Sequence, residues 1–367
     1  MNKKWLVIPS LVVLMLIGAV AAMPVLQRLW EEHRPGREVV IDRAMQVEVI
    51  DKLVAKLKDH YVFPDKAKQI EAVLRRRQQE GKYDGLKNGY RLANQLRADI
   101  RGVSKDLHMK VWFAPGLDIP GERDGPEPAS QAEWEERNNV VKRLMMRHEA
   151  ARYVKKARHL SHNIGYLKIT GFPSAYPVAE KYAAAMNELA GTDGLIVDLR
   201  DNGGGEPGSV ALLISYFVDG RTRLNDIWNR DTGTTTQHWT HDKLDGKRYG
   251  GKKPVLILVG PGTASAAEDF AYTMQALKRA TVVGERTWGG AHPSSLHRIN
   301  DYFLAVIPNE RTISPITGTN WEGVGVKPDI AATPDKALAV AKEHIRRRLQ
   351  GSAPRVAAGI NARPIPR

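Results

Sequence analysis

Apolar positions along the chain change their period twice, and the changes divide it into layers. Between residues 38 and 103, Val47, Ile50, Leu53, Val54 and Leu57 recur at helical spacing. Tyr61-Val62-Phe63-Pro64 interrupts them, and Ile70 to Arg77 and Tyr90 to Ile100 resume the pattern. This predicts three packed helices. Met109 to Phe113 then reads as a strand ending at Pro115, so residues 38–115 form a helical subdomain that closes on a strand. Pro120, Gly121, Gly125, Pro126 and Pro128 mark a loop, and Trp134 to Lys156 reads as a charged helix, which makes 116–160 a connector.

From Ile164 onward, short β-branched runs alternate with helical patterns. Strands are predicted over Ile164–Ile169, Gly194–Leu199, Val255–Val259, Thr281–Val283 and Tyr302–Pro308. Helices are predicted over Tyr176–Ala190, Val210–Phe217, Ala266–Leu277 and Lys336–Leu349, with a polar β-rich stretch running to Tyr249. Such alternation predicts an α/β core with a mainly parallel sheet over residues 161–350. The Pro-, Gly-, Ala- and Arg-rich stretch 351–367 is expected to be a disordered tail.

The N-terminus breaks this pattern. Lys3 and Lys4 precede an uncharged stretch from Trp5 to Gln27. It reads as a signal peptide with a small-residue cleavage site at Ala19-Val20-Ala21, or as an anchor of nearly the roughly 20 residues that span a bilayer. Either version of residues 1–29 puts the remainder outside the cytoplasm, in the periplasm or beyond.

Composition removes several chemistries. The chain has no cysteine, which excludes disulfides, thiolate catalysis and cysteine-bound zinc. Lys and Arg exceed Asp and Glu by 55 − 41 = 14. The excess is scattered and lacks interleaved aromatics, so no nucleic-acid platform is expected.

Two loops carry the candidate chemistry. The strand ending at Leu199 runs into Arg200-Asp201-Asn202-Gly203-Gly204-Gly205, where glycines let backbone N–H groups approach a phosphate or a developing oxyanion. No Lys-Ser/Thr follows, which argues against phosphate. The strand Val255–Val259 runs through Gly260-Pro261-Gly262 to Ser265, at the head of a helix. A serine there is an N-cap or, with a base beside it, a nucleophile.

Asp198-Leu199-Arg200 with Asn202-Gly203-Gly204-Gly205, Gly262-Thr263-Ala264-Ser265-Ala266-Ala267-Glu268, Val283-Gly284-Glu285-Arg286-Thr287 and Glu322-Gly323-Val324-Gly325-Val326-Lys327-Pro328-Asp329 resemble, in order, the tail-specific serine protease family. That family includes C-terminal processing peptidases, the tricorn core and interphotoreceptor retinoid-binding protein. The likeness extends back through His60-Tyr61-Val62-Phe63-Pro64 and Asp106-Leu107-His108, and so covers roughly residues 40–345. It implies a ClpP/crotonase-like core, peptide hydrolysis through an acyl-enzyme on Ser265, and no metal or organic cofactor.

The resemblance also implies which base is used. Processing peptidases use a lysine in a Gly-Lys-Gly context, whereas this chain reads Thr287-Trp288-Gly289-Gly290-Ala291 and has no lysine between Lys278 and Lys327. Nor is there room before the core for the PDZ domain those peptidases insert. The tricorn-like branch uses a histidine and a late glutamate, which His108 and Glu322 match. His292 and His297 are rival bases. Ala266 and the glycines Gly203 to Gly205, Gly204 foremost, would supply the oxyanion N–H groups. Asp198, Arg200 and Asn202 read as scaffold, and Glu268 and Asp269 as helix-dipole acids without a catalytic role. The alternative is a binding protein for an apolar ligand or peptide, retired from catalysis on the same fold.

Overall fold

A computed structural model describes residues 39–115 and 153–351. The expected leader at 1–29, most of the connector at 116–160 and the tail at 351–367 therefore lie largely outside the described residues.

Three helices open the described chain: α1 (Arg43–His60), α2 (Pro64–Gln79) and α3 (Gly89–Ser104). Asp42 caps α1 by accepting the Met45 N–H, and Asn88 caps α3 by accepting from Tyr90 and Arg91. Pro64 sits in the first turn of α2, where its missing N–H leaves no bond unmade. Their apolar faces, including Leu53, Leu57, Ile70, Leu74, Leu92 and Leu96, form one core. That core is closed by strands from both ends of the chain. β1 (Lys110–Phe113) pairs antiparallel with β10 (Phe303–Pro308), which pairs antiparallel with β9 (Ser294–Arg298).

The main sheet has the order β12-β8-β7-β4-β3-β2. It contains β2 (Val154–Leu160), β3 (Ile164–Ile169), β4 (Gly194–Asp198), β7 (Val255–Val259), β8 (Thr281–Gly284) and β12 (Ile330–Ala331). All neighbours are parallel except β2, which runs antiparallel to β3 along one edge. The central strands alternate between two cores. Leu195, Val197, Val255, Ile257 and Val259 face α4 (Ala175–Leu189), α5 (Pro207–Ile214) and α6 (Ala266–Ala276). Ile196, Leu256 and Leu258 face α7 (Ala337–Gly351) through Ala337, Ala341 and Ile345. A strand buried on both faces is apolar along its run, as β7 is throughout and β4 is up to Asp198. A third sheet, in the order β11-β5-β6, comprises β5 (Arg223–Asn229), β6 (Thr235–Trp239) and β11 (Glu310–Ile313).

One expected element is corrected. Residues 154–156 belong to β2 rather than to the end of a charged helix, so the core sheet starts inside the expected connector. The partly buried residues Val154, Ala157 and Leu160 fall at intervals of three because a bulge between Val154 and Lys156 shifts the register. That interval imitates a helix, and the exposed Lys155, Lys156 and Arg158 are the charges that guard an edge strand.

Candidate active site

Ser265 stands at the strand-to-helix corner with φ 53° and ψ −121°. An N-cap residue normally keeps an extended backbone, so this serine is held in a strained conformation costing on the order of 1–3 kcal/mol. The strain is maintained by neighbours on every side. Ala264 N–H donates to the Asn202 carbonyl (3.0 Å), Thr263 Oγ1 donates to the Leu199 carbonyl (2.8 Å), and Trp288 N–H donates to the Thr263 carbonyl (3.1 Å). Ser265 N–H donates to Glu268 Oε2 (2.8 Å).

Glu268 does more than complement a helix dipole. It is fully buried and accepts from Ser265 N–H, Gly289 N–H (2.6 Å), Gly290 N–H (3.0 Å) and the Thr287 hydroxyl. Burial pushes its pKa up, and these four donors pull it back. The Ser-x-x-Glu spacing of a capping box is a sequence signal that could have found the first of these contacts. The other three come from a loop some twenty positions downstream. Asp269 also turns inward, its Oδ1 accepting from Asn225 Nδ2 (2.6 Å) and Thr273 Oγ1 (3.0 Å), and burial raises it to about 6.

The glycine loop lies against the serine. Asp198 is buried and anchors it by accepting from the Tyr166 hydroxyl (2.6 Å) and from Arg200 Nε (2.9 Å) and Nη2 (2.6 Å). Burial raises the Asp198 pKa, but Arg200 and Tyr166 outweigh it and hold the carboxyl below its ordinary value. Asn202 Nδ2 donates to the Ile169 carbonyl (3.2 Å), and its Oδ1 accepts the Gly204 N–H (2.9 Å). That last bond corrects the ranking of Gly204 as the leading oxyanion donor, since its hydrogen is turned back into its own loop. Gly204 is needed for proximity instead: a Cβ there would lie 2.8 Å from Ser265 Cβ and 3.0 Å from Ala266 N. Ala266 N–H heads α6, where no intrahelical acceptor precedes it.

His108 meets the serine from the other core. Its Nε2 is 3.3 Å from Ser265 Oγ. It sits in the turn between α3 and β1, where Lys105 takes a left-handed conformation (φ 59°) and His108 N–H donates to Asp106 Oδ1 (3.0 Å). Arg101 Nε donates to the Met109 carbonyl (2.9 Å), tying the same turn to α3. The ring stands edge-on to Trp288 at 5.0 Å. Burial lowers its pKa to about 4 against the opposing charge of Asp106, which keeps the imidazole neutral and able to accept a proton at pH 7.

The rival histidines are placed elsewhere. His297 lies on β9 and stacks on His60 at 4.3 Å. His292 directs Nδ1 to Asp106 Oδ2 (2.9 Å) and Glu322 Oε2 (3.4 Å). Glu322 Oε2 accepts the Ala291 N–H (2.6 Å), and burial, then the charge of Asp106, raises Glu322 to about 7. Glu322 thus stands against His292. Asp106, His292 and Glu322 have the donor set of a metal site, with ligand atoms within 4.8 Å of one another. The 2.9 Å separation is an ordinary hydrogen bond, which satisfies the pair without an ion. Asp106 lies within the Asp106-Leu107-His108 resemblance, but its contact with His292 has no sequence signal, because its short loop carries no periodicity.

A parallel α/β core with a strained serine at a strand-to-helix corner, a half-buried histidine within reach of its hydroxyl and a glycine loop alongside is the arrangement that serine-hydrolase chemistry requires. Two family models match the chain in tandem: the N-terminal domain of peptidase family S41 in eukaryotic IRBP over residues 37–152, and peptidase family S41 over residues 163–332. The chain belongs to peptidase family S41. It is 28% identical over 172 residues to a chloroplastic C-terminal processing peptidase of Tetradesmus obliquus, covering 47% of this chain and 36% of that one. It is 29% identical over 143 residues to a carboxyl-terminal-processing protease of Synechocystis, covering 38% and 31%. The chain spans about a third of the length of these curated relatives. Among solved structures, mature CPAF superposes with a TM-score of 0.58 at 12% identity, over 83% of this chain and 96% of that one, a likeness of fold.

Proposed function

We propose that this chain is a serine-type endopeptidase acting on polypeptides. The observation that carries the proposal is the 3.3 Å approach of His108 Nε2 to Ser265 Oγ between segments 157 positions apart. Ser265 Oγ attacks a peptide carbonyl while His108 Nε2 takes its proton. The tetrahedral oxyanion is met by the Ala266 N–H and by an N–H of the 203–205 loop. His108 then protonates the leaving amine, and water resolves the acyl-enzyme by the same route. Every step uses groups of the chain and water.

The names of the curated relatives, C-terminal processing peptidases, suggest substrates cut near their C-terminal ends. The uncharged segment Trp5–Gln27 supports action outside the cytoplasm, with or without an anchor. No helix among the described residues is long and apolar enough to cross a membrane. The retired-binder reading would have been favoured by a serine and histidine too far apart to meet, and the observed contact removes that support.

The test is a fluorophosphonate probe followed by peptide mapping, together with hydrolysis of denatured casein. Wild type is expected to label at Ser265 and to cleave, and Ser265→Ala and His108→Ala to do neither. Equal casein hydrolysis by wild type and Ser265→Ala would remove the serine from the mechanism.

A further inference from the structure

The carboxylates around the proposed base do not meet its free nitrogen. Among the described residues, no hydrogen-bond partner meets the buried His108 Nδ1, and the two nearby acids converge on His292 instead. His292 is buried, with its side chain 3% exposed, and Phe63 stands edge-on to its ring at 5.2 Å. Pro293 follows it and restricts its backbone to extended conformations. Its Nδ1–H has Asp106 Oδ2 as principal acceptor and Glu322 Oε2 at longer range.

Asp106 therefore joins two histidines. One oxygen accepts the backbone N–H of His108 and the other accepts the imidazole of His292. Glu322 is set beside them by the N–H of Ala291, the residue preceding His292. Two carboxylates this close in a buried site repel each other strongly, and a donor between them offsets that repulsion. Without it, Asp106 would have reason to turn away, releasing the amide that fixes the His108 turn.

We propose that His292 is a positioning residue of this site: its Nδ1–H holds Asp106, and Asp106, through the His108 amide, keeps the His108 ring on Ser265. Glu322 acts on the same residue rather than on the base itself. The effect on reaction rate rests on the peptidase reading above, whereas the effect on geometry does not.

The test compares His292→Leu, which removes the donor, with His292→Asn, whose amide nitrogen can stand where Nδ1 stood. Crystal structures of wild type and both variants are expected to keep His108 Nε2 within hydrogen-bond reach of Ser265 Oγ in wild type and His292→Asn, and to lose it in His292→Leu. With a fluorophosphonate, the inactivation rate constant is expected to fall about 100-fold in His292→Leu, the scale of a small misplacement, at unchanged probe affinity. His292→Asn is expected to recover to within about tenfold of wild type on the same scale. Should His292→Leu not fold, His292→Gln, whose longer amide overshoots Asp106, replaces it with the same expectations. The proposal is overturned if the donor-deleted variant keeps His108 on Ser265, or if His292→Asn loses that contact. A wild type that ignored the probe would count against Ser265 as nucleophile, and the crystal comparison would still decide the role of His292.

Discussion

The ring of His108 fills the space that a side chain at Gly290 would need. A Cβ at position 290 would lie 2.6 Å from His108 Cε1 and 2.3 Å from Trp288 Cζ3. Processing peptidases, by the resemblance described above, place a lysine amine in the corresponding segment, in a Gly-Lys-Gly context. In this chain the imidazole and any side chain at position 290 exclude each other, so the packing itself supports the proposed choice of His108 over a lysine as base.

Gly290→Ala is accordingly expected to displace His108 or Trp288 and to slow fluorophosphonate labelling of Ser265 by at least about tenfold, since sub-ångström misplacement of a base is costly. Circular dichroism should show the fold retained. An alanine variant that labels at the wild-type rate would mean the ring has room to spare.

The strain at Ser265 predicts a stability difference between two inactive variants. Glycine takes φ 53° without a Cβ penalty, whereas alanine does not. Ser265→Gly should be more stable than Ser265→Ala by about 1–2 kcal/mol in urea titrations. Equal midpoints and slopes would show the corner to be relaxed.

Glu268 links the Ser265 amide to the segment that flanks His108. Glu268→Ala would leave four buried donors without their acceptor, and a loss of roughly 3 kcal/mol is expected from uncompensated buried polar groups. Ser265 labelling should fall with it, because the 287–290 loop then has no tie to α6. A variant as stable as wild type would contradict this reading of the carboxylate.

Burial gives the site two opposed pH dependences. His108, at about 4 instead of 6.5, refuses a proton that the unfolded chain accepts, so its contribution to stability is lost as pH falls from about 6.5 toward 4. Probe labelling should therefore keep its rate well below pH 6.5, with its acid limb at about 4. Glu322, raised from 4.5 to about 7, keeps a proton that the unfolded chain releases, so its contribution is lost as pH rises through that window. Between pH 5 and 7, Glu322→Gln should gain stability relative to wild type in parallel denaturant titrations. A pH-independent difference between the two would show that Glu322 titrates normally.

The sequence made the central sheet and the Ser265 corner legible because both are local. β3 and β7 fall where their apolar runs place them, and Gly260 to Gly262 announce the turn. His108 could be paired with Ser265 through the resemblance, since nothing within either segment points across 157 positions. Other features depended on partners the chain does not announce. The Gly204 N–H is claimed by Asn202 two residues earlier, Glu268 by donors at 287–290, and β2 is a strand because β3 lies beside it. The β1-β10-β9 sheet escaped for the same reason, and the helical subdomain thus shares its core with late strands.

That shared seam decides how Ser265 and His108 can be separated. His108 precedes β1 by two positions, and the strand partner of β1 is β10, whereas Ser265 belongs to the separately cored β7–α6 unit. Parting β1 from β10 would leave Ser265 with its glycine loop intact but without His108 beside it, on a central sheet that has lost none of its own strands. The helical layer thus delivers His108 to Ser265, and the two side chains face each other only while the two cores are docked.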